Sequence, residues 1–138
     1  MVCVNCNSET RVINSRIQKR SNQVWRRRRC VMCGLVFSTE ENVLYQHVWL
    51  VSNPNGGYSP FSAQKLFMSL YESCQHRSSA VVDATELSRT LIKKLQPRFK
   101  DGLISSQTIT QVAQVALNRF DKAASVSYEA HHRLKKPA

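Results

Sequence analysis

Along the second half of the chain, hydrophobic side chains recur at every third or fourth position, a spacing that predicts three amphipathic helices. A candidate N-cap precedes each helix, because serine and aspartate side chains accept hydrogen bonds from the first free backbone N–H groups. The caps are Ser62, then Asp83 with Glu86 in a capping-box pattern, then Ser105 or Ser106. The predicted inward-facing residues are Leu66, Leu70, Tyr71 and Cys74, then Leu87, Leu91 and Leu95, then Ile109, Val112, Ala113, Ala116, Leu117 and Phe120.

The boundaries of the helical part follow from breakers and from weaker periodicity. Pro97 ends the second helix, because proline cannot continue a helical hydrogen-bond ladder. A fourth, less regular helix is predicted over residues 123–134, with a frayed tail at 135–138. Cys74 lies on an apolar stripe and is predicted to be a buried thiol. His131 and His132 lack the spacing of a metal-ligand pair and are predicted to be surface residues.

The first half of the chain carries short β-prone runs between turn formers. Residues 10–17 and 24–29 predict the hairpins of a small sheet, and residues 43–51 predict a strand joined by the turn formers of residues 53–57 to residues 58–61. The fold class is therefore α+β. We expect a β-rich module at residues 1–43, a helical bundle with a β-hairpin cap at 44–134, and a tail at 135–138.

Charge narrows the choice of partner. The sequence has 20 Lys and Arg against 9 Asp and Glu, a net charge of +11, which favours nucleic acid, an anionic membrane or a phosphorylated ligand. No apolar run approaches the roughly 20 residues that span a bilayer, and the first residues lack the pattern of a signal peptide. We therefore expect a soluble cytoplasmic protein, without a membrane partner, whose cysteines are reduced.

Four of the five cysteines form two Cys-x-x-Cys pairs, Cys3 with Cys6 and Cys30 with Cys33, separated by 23 residues. Each pair can present two thiolates to one tetrahedral Zn²⁺, and a module of about 45 residues needs such a staple to fold. The sequence therefore predicts one structural Zn²⁺ per chain, with no coordination position left for catalysis. The alternatives are a redox dithiol, which normally uses one pair at a helix N-terminus, and two unrelated surface pairs.

The basic side chains concentrate next to the second cysteine pair. Four consecutive arginines, Arg26, Arg27, Arg28 and Arg29, follow Trp25 on a predicted strand, with Arg16, Lys19 and Arg20 on the preceding strand and its turn. Neighbouring side chains in a strand alternate faces, so both faces cannot be core. Guanidinium groups pair with phosphate, and Trp25 can stack on a base or pack under the sheet. We predict that these seven basic residues bind DNA; the alternative is a solvated charged face.

Taken in order, these motifs resemble the zinc ribbon of the NrdR-type bacterial transcriptional repressors of ribonucleotide reductase genes. The matching segments are the two Cys-x-x-Cys pairs, Val12-Ile13-Asn14-Ser15-Arg16, the four arginines, Gly34 and Phe37-Ser38-Thr39 with Glu41. In that family an ATP-cone, a helical domain that binds adenine nucleotides, follows the ribbon. The segments here that resemble a cone are Pro60-Phe61, Lys65-Leu66, Ser73-Cys74-Gln75-His76-Arg77, Ser105-Ser106, Phe120-Asp121 and Tyr128.

The resemblance implies a repressor rather than an enzyme, since no catalytic constellation is present and no residues remain for a catalytic domain. It further implies a homo-oligomer at the bacterial nucleoid, with the ribbon on a double-stranded DNA operator and ATP or dATP in the self-associating cone. The implied nucleotide-binding residues are Asn53, Asn55, Lys65 and Ser105. Each also has a plainer interpretation, as a turn former, an exposed helix lysine or an N-cap.

The ribbon departs mildly from the family, with Asn14 where aspartate is usual and no glutamate between Arg29 and Cys30. Two further departures lie in the cone. Asn53-Pro54-Asn55-Gly56 stands where the family has Lys-Arg-Asp-Gly, so two cations expected near the triphosphate are absent, and Ser125 and Ser127 replace a tyrosine and an arginine. An alternative function is therefore a zinc-ribbon nucleic-acid adaptor whose degenerate cone only oligomerises and no longer binds nucleotide.

Overall fold

In the computed structural model, which describes residues 1–132, the chain divides after Val43 into two units, Met1–Val43 and Leu44–Ala138. The first unit is built from strands alone and the second from helices with a small sheet. The fold is therefore α+β, as predicted. The predicted tail at 135–138 and the predicted end of the fourth helix at Leu134 lie outside the described residues.

The first unit is a three-stranded antiparallel sheet in the order β1-β2-β3. Its strands are β1 Thr10–Gln18, β2 Gln23–Cys30 and β3 Val36–Glu41. The first two were predicted. The third was missed because its only hydrophobic side chains are adjacent, at Val36 and Phe37, and the rest of the strand is polar. Pairing between β1 and β2 shifts between Val12 and Asn14, so Ile13 is the extra residue of a β-bulge.

The second unit holds a sheet in the order β5-β4-β6, formed by β4 Leu50–Ser52, β5 Tyr58–Pro60 and β6 Leu103–Ser105. The β4–β5 hairpin was predicted, whereas the parallel partner β6 was not. The predicted strand over residues 43–51 was wrong in its first part, because Tyr45–His47 forms a 3₁₀ turn. The turn lets the Tyr45 ring stack on Trp49, four residues later, at 4.4 Å, and Trp49 in turn stacks on Phe99 at 4.0 Å.

Four helices complete the second unit: α1 Ala63–Ser73, α2 Ala80–Leu95, α3 Ser106–Phe120 and α4 Lys122–His131. Ser62 and Ser105 cap α1 and α3, each accepting a backbone hydrogen bond at 3.1 Å. The predicted capping box at Asp83 and Glu86 was wrong, because α2 begins three residues earlier. The Asp83 carboxylate instead accepts hydrogen bonds from Arg77 Nε at 2.8 Å and Ser79 Oγ at 2.6 Å.

The helical stripes meet in a core whose largest fully buried side chains are Leu70, Leu91, Leu95, Leu117 and Cys74. Cys74 is buried as predicted, and its desolvation raises the pKa of the thiol. Phe120 was wrongly placed inward: it is 39% exposed, and its ring stacks against the Arg77 guanidinium, 4.7 Å from the ring centroid. Within residues 1–132, no helix has the length and apolar character to cross a membrane.

The two histidines near the end of α4 differ. His131 is exposed, as predicted, and its Nδ1 lies 2.8 Å from the Ser127 carbonyl. His132 was wrongly predicted to be a surface residue: it is half-buried, stacked on Tyr128 at 4.2 Å with Nε2 3.1 Å from Ser69 Oγ.

Candidate metal centre and nucleic-acid interface

The four predicted metal ligands converge in the first unit. All Sγ atoms of Cys3, Cys6, Cys30 and Cys33 lie within 4.8 Å of one another. The Cys3–Cys33 and Cys6–Cys30 sulfur pairs are 3.6 and 3.5 Å apart. Tetrahedral Zn–S bonds of about 2.3 Å place sulfurs about 3.8 Å from each other. The constellation therefore has the donor type, number and size that Zn²⁺ requires.

The two cysteine pairs lie in turns that are similar but not identical, because the N–H group that approaches the first sulfur lies two residues after it in one turn and three in the other. A backbone N–H approaches the first sulfur of each pair at 3.4 Å, from Asn5 to Cys3 and from Cys33 to Cys30. The residue after the second cysteine has a positive φ in both turns, 57° at Asn7 and 71° at Gly34. Asparagine and glycine are the residues that adopt this conformation most readily. The local sequence therefore aims both pairs of sulfurs at a common point.

The sulfurs differ in their exposure to solvent. Cys3 and Cys30 are buried, whereas Cys6 and Cys33 are exposed. Hydrogen bonds from Ser8, first from its side chain and then from its backbone, lower the pKa of the Cys6 thiol to about 6. Cys6 is therefore largely a thiolate at neutral pH, the form that binds metal.

The strand register sorts the basic residues onto two faces of the sheet. Directly paired residues in antiparallel strands project to the same side. Arg29 pairs with Arg11, Arg27 with Asn14, and Trp25 with Arg16. These six side chains form one surface, here called the arginine face; its four arginines are exposed, and among residues 1–132 none of them forms an ion pair. The acidic Glu40 lies at its border, in register with Trp25.

The two arginines on the opposite side of the sheet are less exposed to solvent. Arg26 lies 3.4 Å from the Glu41 carboxylate and 3.4 Å from Ser15 Oγ. Arg28 is half-buried, in register with Val12 on one strand and Phe37 on the other. The predicted set of seven basic residues therefore divides: Arg16, Arg27 and Arg29 lie on the arginine face, Arg26 and Arg28 on the other, and Lys19 and Arg20 are exposed in the β1–β2 turn.

Arg11 belongs to the arginine face but was not predicted. Without a bulge, residues 11 and 16 would project to opposite sides of β1, because they are an odd number of positions apart. The extra residue at Ile13 inverts the alternation and brings both arginines to one side. Two turn-forming residue types, Asn14 and Ser15, follow the bulge, but no glycine marks it and its position was not predicted.

The second unit contains a cavity of about 240 Å³ between the small sheet and the helices. Of the four predicted nucleotide-binding residues, Asn53 and Lys65 lie in its wall, whereas Asn55 lies in the exposed turn beyond it. Ser105 caps α3, and its neighbour Ser106 contributes to the wall instead. Thr110, Tyr128 and His132, which were not predicted, line the cavity as well.

Comparison with known proteins agrees with this architecture. A family described as "Transcriptional repressor NrdR-like, N-terminal domain" matches residues 1–41. Proteins named "Transcriptional repressor NrdR" align over nearly the whole chain. The protein from Opitutus terrae is 31% identical over 134 residues, covering 96% of this chain and 87% of its own length. The chain belongs to the NrdR family of transcriptional repressors. The proteins from Syntrophotalea carbinolica and Oceanobacillus iheyensis are 30% and 28% identical, each covering 96% of this chain and 84% of their own.

As an NrdR-family ribbon, the first unit holds one Zn²⁺ through its four cysteines. The bound ion supplies structural cross-linking, since four protein ligands leave no position for a reacting group. Four thiolates around Zn²⁺ carry a local charge of about −2, which the adjacent arginines of β2 offset. Metal binding and the folding of this NrdR ribbon are therefore coupled.

Proposed function

We propose that this chain represses ribonucleotide reductase genes by binding double-stranded operator DNA through the arginine face of its ribbon. It acts in the bacterial cytoplasm at the nucleoid, as a binding protein without catalytic activity. The observation that carries the proposal is the set of exposed arginines without ion pairs, Arg11, Arg16, Arg27 and Arg29, on one side of a metal-held sheet. The family membership supplies the repressor function and favours the reductase genes as targets.

Electrostatics supports this surface over a merely solvated one. Arg11 and Arg29 are direct cross-strand partners, and like charges in that position destabilise a sheet. Arg26, on the opposite side, has a carboxylate partner, Glu41, at 3.4 Å, whereas no arginine of the arginine face has one among residues 1–132. A row of phosphates would relieve the repulsion between Arg11 and Arg29, because guanidinium groups pair bidentately with phosphate oxygens.

The proposal is tested with the zinc-loaded full chain and two duplexes of equal length. One carries the promoter region of a ribonucleotide reductase operon and the other the same bases in shuffled order. We expect tighter binding to the promoter duplex, measured by fluorescence anisotropy, and loss of that binding after zinc is removed with a chelator. Equal affinity for both duplexes, or binding that survives zinc removal, would contradict it.

We further propose that adenine nucleotide, ATP or dATP, binds the cavity of the second unit and controls repression through oligomeric state. Two helix N-termini reach this cavity, through the cap Ser62 of α1 and the first residue Ser106 of α3. The positive ends of helix dipoles favour phosphate, and Lys65 in the first turn of α1 adds a full positive charge. A nucleotide that binds one assembly better than another shifts the population toward it.

The hairpin turn favours a second candidate function, an adaptor whose cone-like unit only oligomerises. The turn is closed by backbone hydrogen bonds, from Asn53 N–H to the Gly57 carbonyl at 2.8 Å and from Gly56 N–H to the Asn53 carbonyl at 3.1 Å. Residues 53–57 contain no cation. Titration with ATP and with dATP, following molar mass and DNA affinity together, separates the two candidates. If neither nucleotide binds at millimolar concentration, the adaptor is favoured and nucleotide control is removed.

Self-association through the second unit is supported by an exposed groove between α3 and α4. Its exposed apolar side chains are Val115, 53% exposed, and Val126, 68% exposed, and its charged ones are Lys122 and Glu129. The remaining lining residues are polar: Gln114, Asn118 and Ser125. Lys122 is the first residue of α4 and Glu129 lies near its C-terminal end, so each charge interacts unfavourably with the helix dipole. Antiparallel packing of α4 on α4 of a second copy would pair each lysine with the partner's glutamate and bury both valines. We propose this face as the self-association surface.

A further inference from the structure

One polar side chain stands among the cations of the arginine face. Asn14 is exposed on β1, in register with Arg27 across the strand pair, with Arg16 two positions further along the same face. On its other side lies the Arg11–Arg29 pair. Among residues 1–132, the Asn14 carboxamide forms no hydrogen bond, so its donor and its acceptor both face solvent.

Three other uncharged polar side chains project to this side of the sheet, Gln18, Gln23 and Ser38, and they are less suited to reading a base. Gln23 Nε2 already donates a hydrogen bond to Asn42 Oδ1. Gln18 lies at the far end of β1, where its Oε1 accepts a hydrogen bond from Ser21 Oγ at 3.3 Å. Ser38, which pairs with Arg27 from β3, has a hydroxyl that serves as donor or acceptor for any base. Asn14 alone offers a free carboxamide between the arginines.

Carboxamide chemistry selects a particular base. The carboxamide oxygen accepts from the N6 amino group of adenine while its nitrogen donates to N7, and both adenine atoms lie in the major groove. Arginines around such a side chain bind phosphates and fix the register of the protein on the duplex. The major groove admits a two-stranded β-ribbon, and two strand residues span about 6.6 Å, close to two base-pair steps of about 3.4 Å each.

We propose that Asn14 determines operator specificity by reading one adenine per half-site in the major groove, while the surrounding arginines hold the phosphates. The inference rests on the proposed DNA-binding function of the arginine face. It assigns base readout to a side chain in the β1 bulge region rather than to the basic residues, which supply affinity for any sequence.

The experiment selects binding sites from a pool of randomised duplexes with zinc-loaded full-length protein. Five proteins are compared: the wild type, Asn14→Ala, Asn14→Asp, the double variant Arg27→Ala with Arg29→Ala, and the control Ser15→Ala. The Ser15 side chain is adjacent to Asn14 in sequence but projects to the opposite side of the sheet. Zinc content and the far-ultraviolet circular dichroism spectrum establish that each variant is folded. Affinity for a fixed non-specific duplex is measured as a function of salt for all five.

We expect Ser15→Ala to select the wild-type motif. Asn14→Ala should keep its non-specific affinity and salt dependence but lose the preference for one adenine per half-site, on the order of 10-fold. Asn14→Asp should move the preference at that position toward cytosine, whose N4 amino group donates to a carboxylate. An Asn14→Ala variant that selects the wild-type motif with undiminished discrimination overturns the inference alone. If the double variant Arg27→Ala with Arg29→Ala binds DNA as tightly as the wild type does, both the inference and the proposed surface are overturned.

Discussion

Removing two arginines from the arginine face should weaken the salt dependence of DNA binding, whereas removing two from the other side of the sheet should not. The arginine face presents four guanidinium groups per chain, at Arg11, Arg16, Arg27 and Arg29. If each neutralises one phosphate, the logarithm of the binding constant should fall with the logarithm of salt concentration with a slope of about −3.6 per chain. The double variant Arg27→Ala with Arg29→Ala should reduce the slope to about −1.8.

These slopes translate into large differences in affinity. Between about 50 and 200 mM salt, a slope of −3.6 weakens binding about 150-fold, whereas a slope of −1.8 weakens it only about 12-fold. The measurement is fluorescence anisotropy with a labelled duplex at several salt concentrations. The slope of about −3.6 corresponds to four phosphate contacts per chain, at about −0.9 per contact, so the measured wild-type slope gives the number of contacts.

The matched control removes the same charge from the other side of the sheet. Arg26→Ala with Arg28→Ala lowers the net charge equally, but Arg26 is paired with Glu41 and Arg28 is half-buried. We expect this variant to keep the wild-type slope once its zinc content is shown to be one ion per chain. Equal changes of slope in the two double variants would refute the assignment of DNA to the arginine face and indicate a response to net charge alone.

Four further outcomes are expected. Cys30→Ser should abolish zinc binding and unfold the ribbon while the helical circular dichroism signal persists, whereas Cys74→Ala, in the helical core, should keep one zinc per chain by elemental analysis. Two carboxyl pKa values in the helical unit lie below the unfolded value of about 3.9: that of Asp83, chiefly because Arg77 donates a hydrogen bond to it, and that of Asp121, chiefly because the Ala124 N–H does. The helical unit should therefore lose thermal stability as the pH falls below about 4 and these carboxylates become protonated. Arg77→Met should lower the melting temperature at pH 7 and flatten that acid dependence, and Arg89→Met, whose partner Glu86 is exposed, should not. Val126→Glu should reduce the molar mass in sedimentation at a given concentration, whereas Val81→Glu, the same change of an exposed valine on α2, should leave it unchanged. A lower molar mass for Val81→Glu and an unchanged one for Val126→Glu would place self-association elsewhere.

The features that could be predicted from sequence are those encoded within a few residues. Each cysteine pair forms its own turn, and the αL residue that follows it is asparagine or glycine, so the metal site is legible without tertiary information. The same holds for α1 and α3, whose serine caps and apolar stripes are contiguous. In both cases the local signal and the tertiary packing demand the same structure.

The features that were missed depend on partners distant in sequence. Strand β6 is three residues long and exists because it pairs in parallel with β4, some fifty residues earlier. Asp83 has the chemistry of a cap, but Arg77 and Ser79 use its carboxylate, so the helix starts before it. In the site itself, the alternation of Arg26 to Arg29 was correctly predicted from the strand period. The contribution of Arg11 was not, because it depends on where β1 slips against β2.

Because of the β-bulge at Ile13, the number of residues between the arginines of β1 decides which face of the sheet each of them lies on. Deleting Ile13 would leave every arginine in the chain, yet Arg11 would turn away from Arg16 and face the side of the sheet that holds Arg26 and Arg28. Adding one residue between Asn14 and Arg16 would move Arg16 off the face in the same way. For this ribbon, single-residue insertions and deletions in β1 should therefore be more damaging to operator recognition than most substitutions, and relatives whose alignment gaps fall there are expected to present a different surface to DNA.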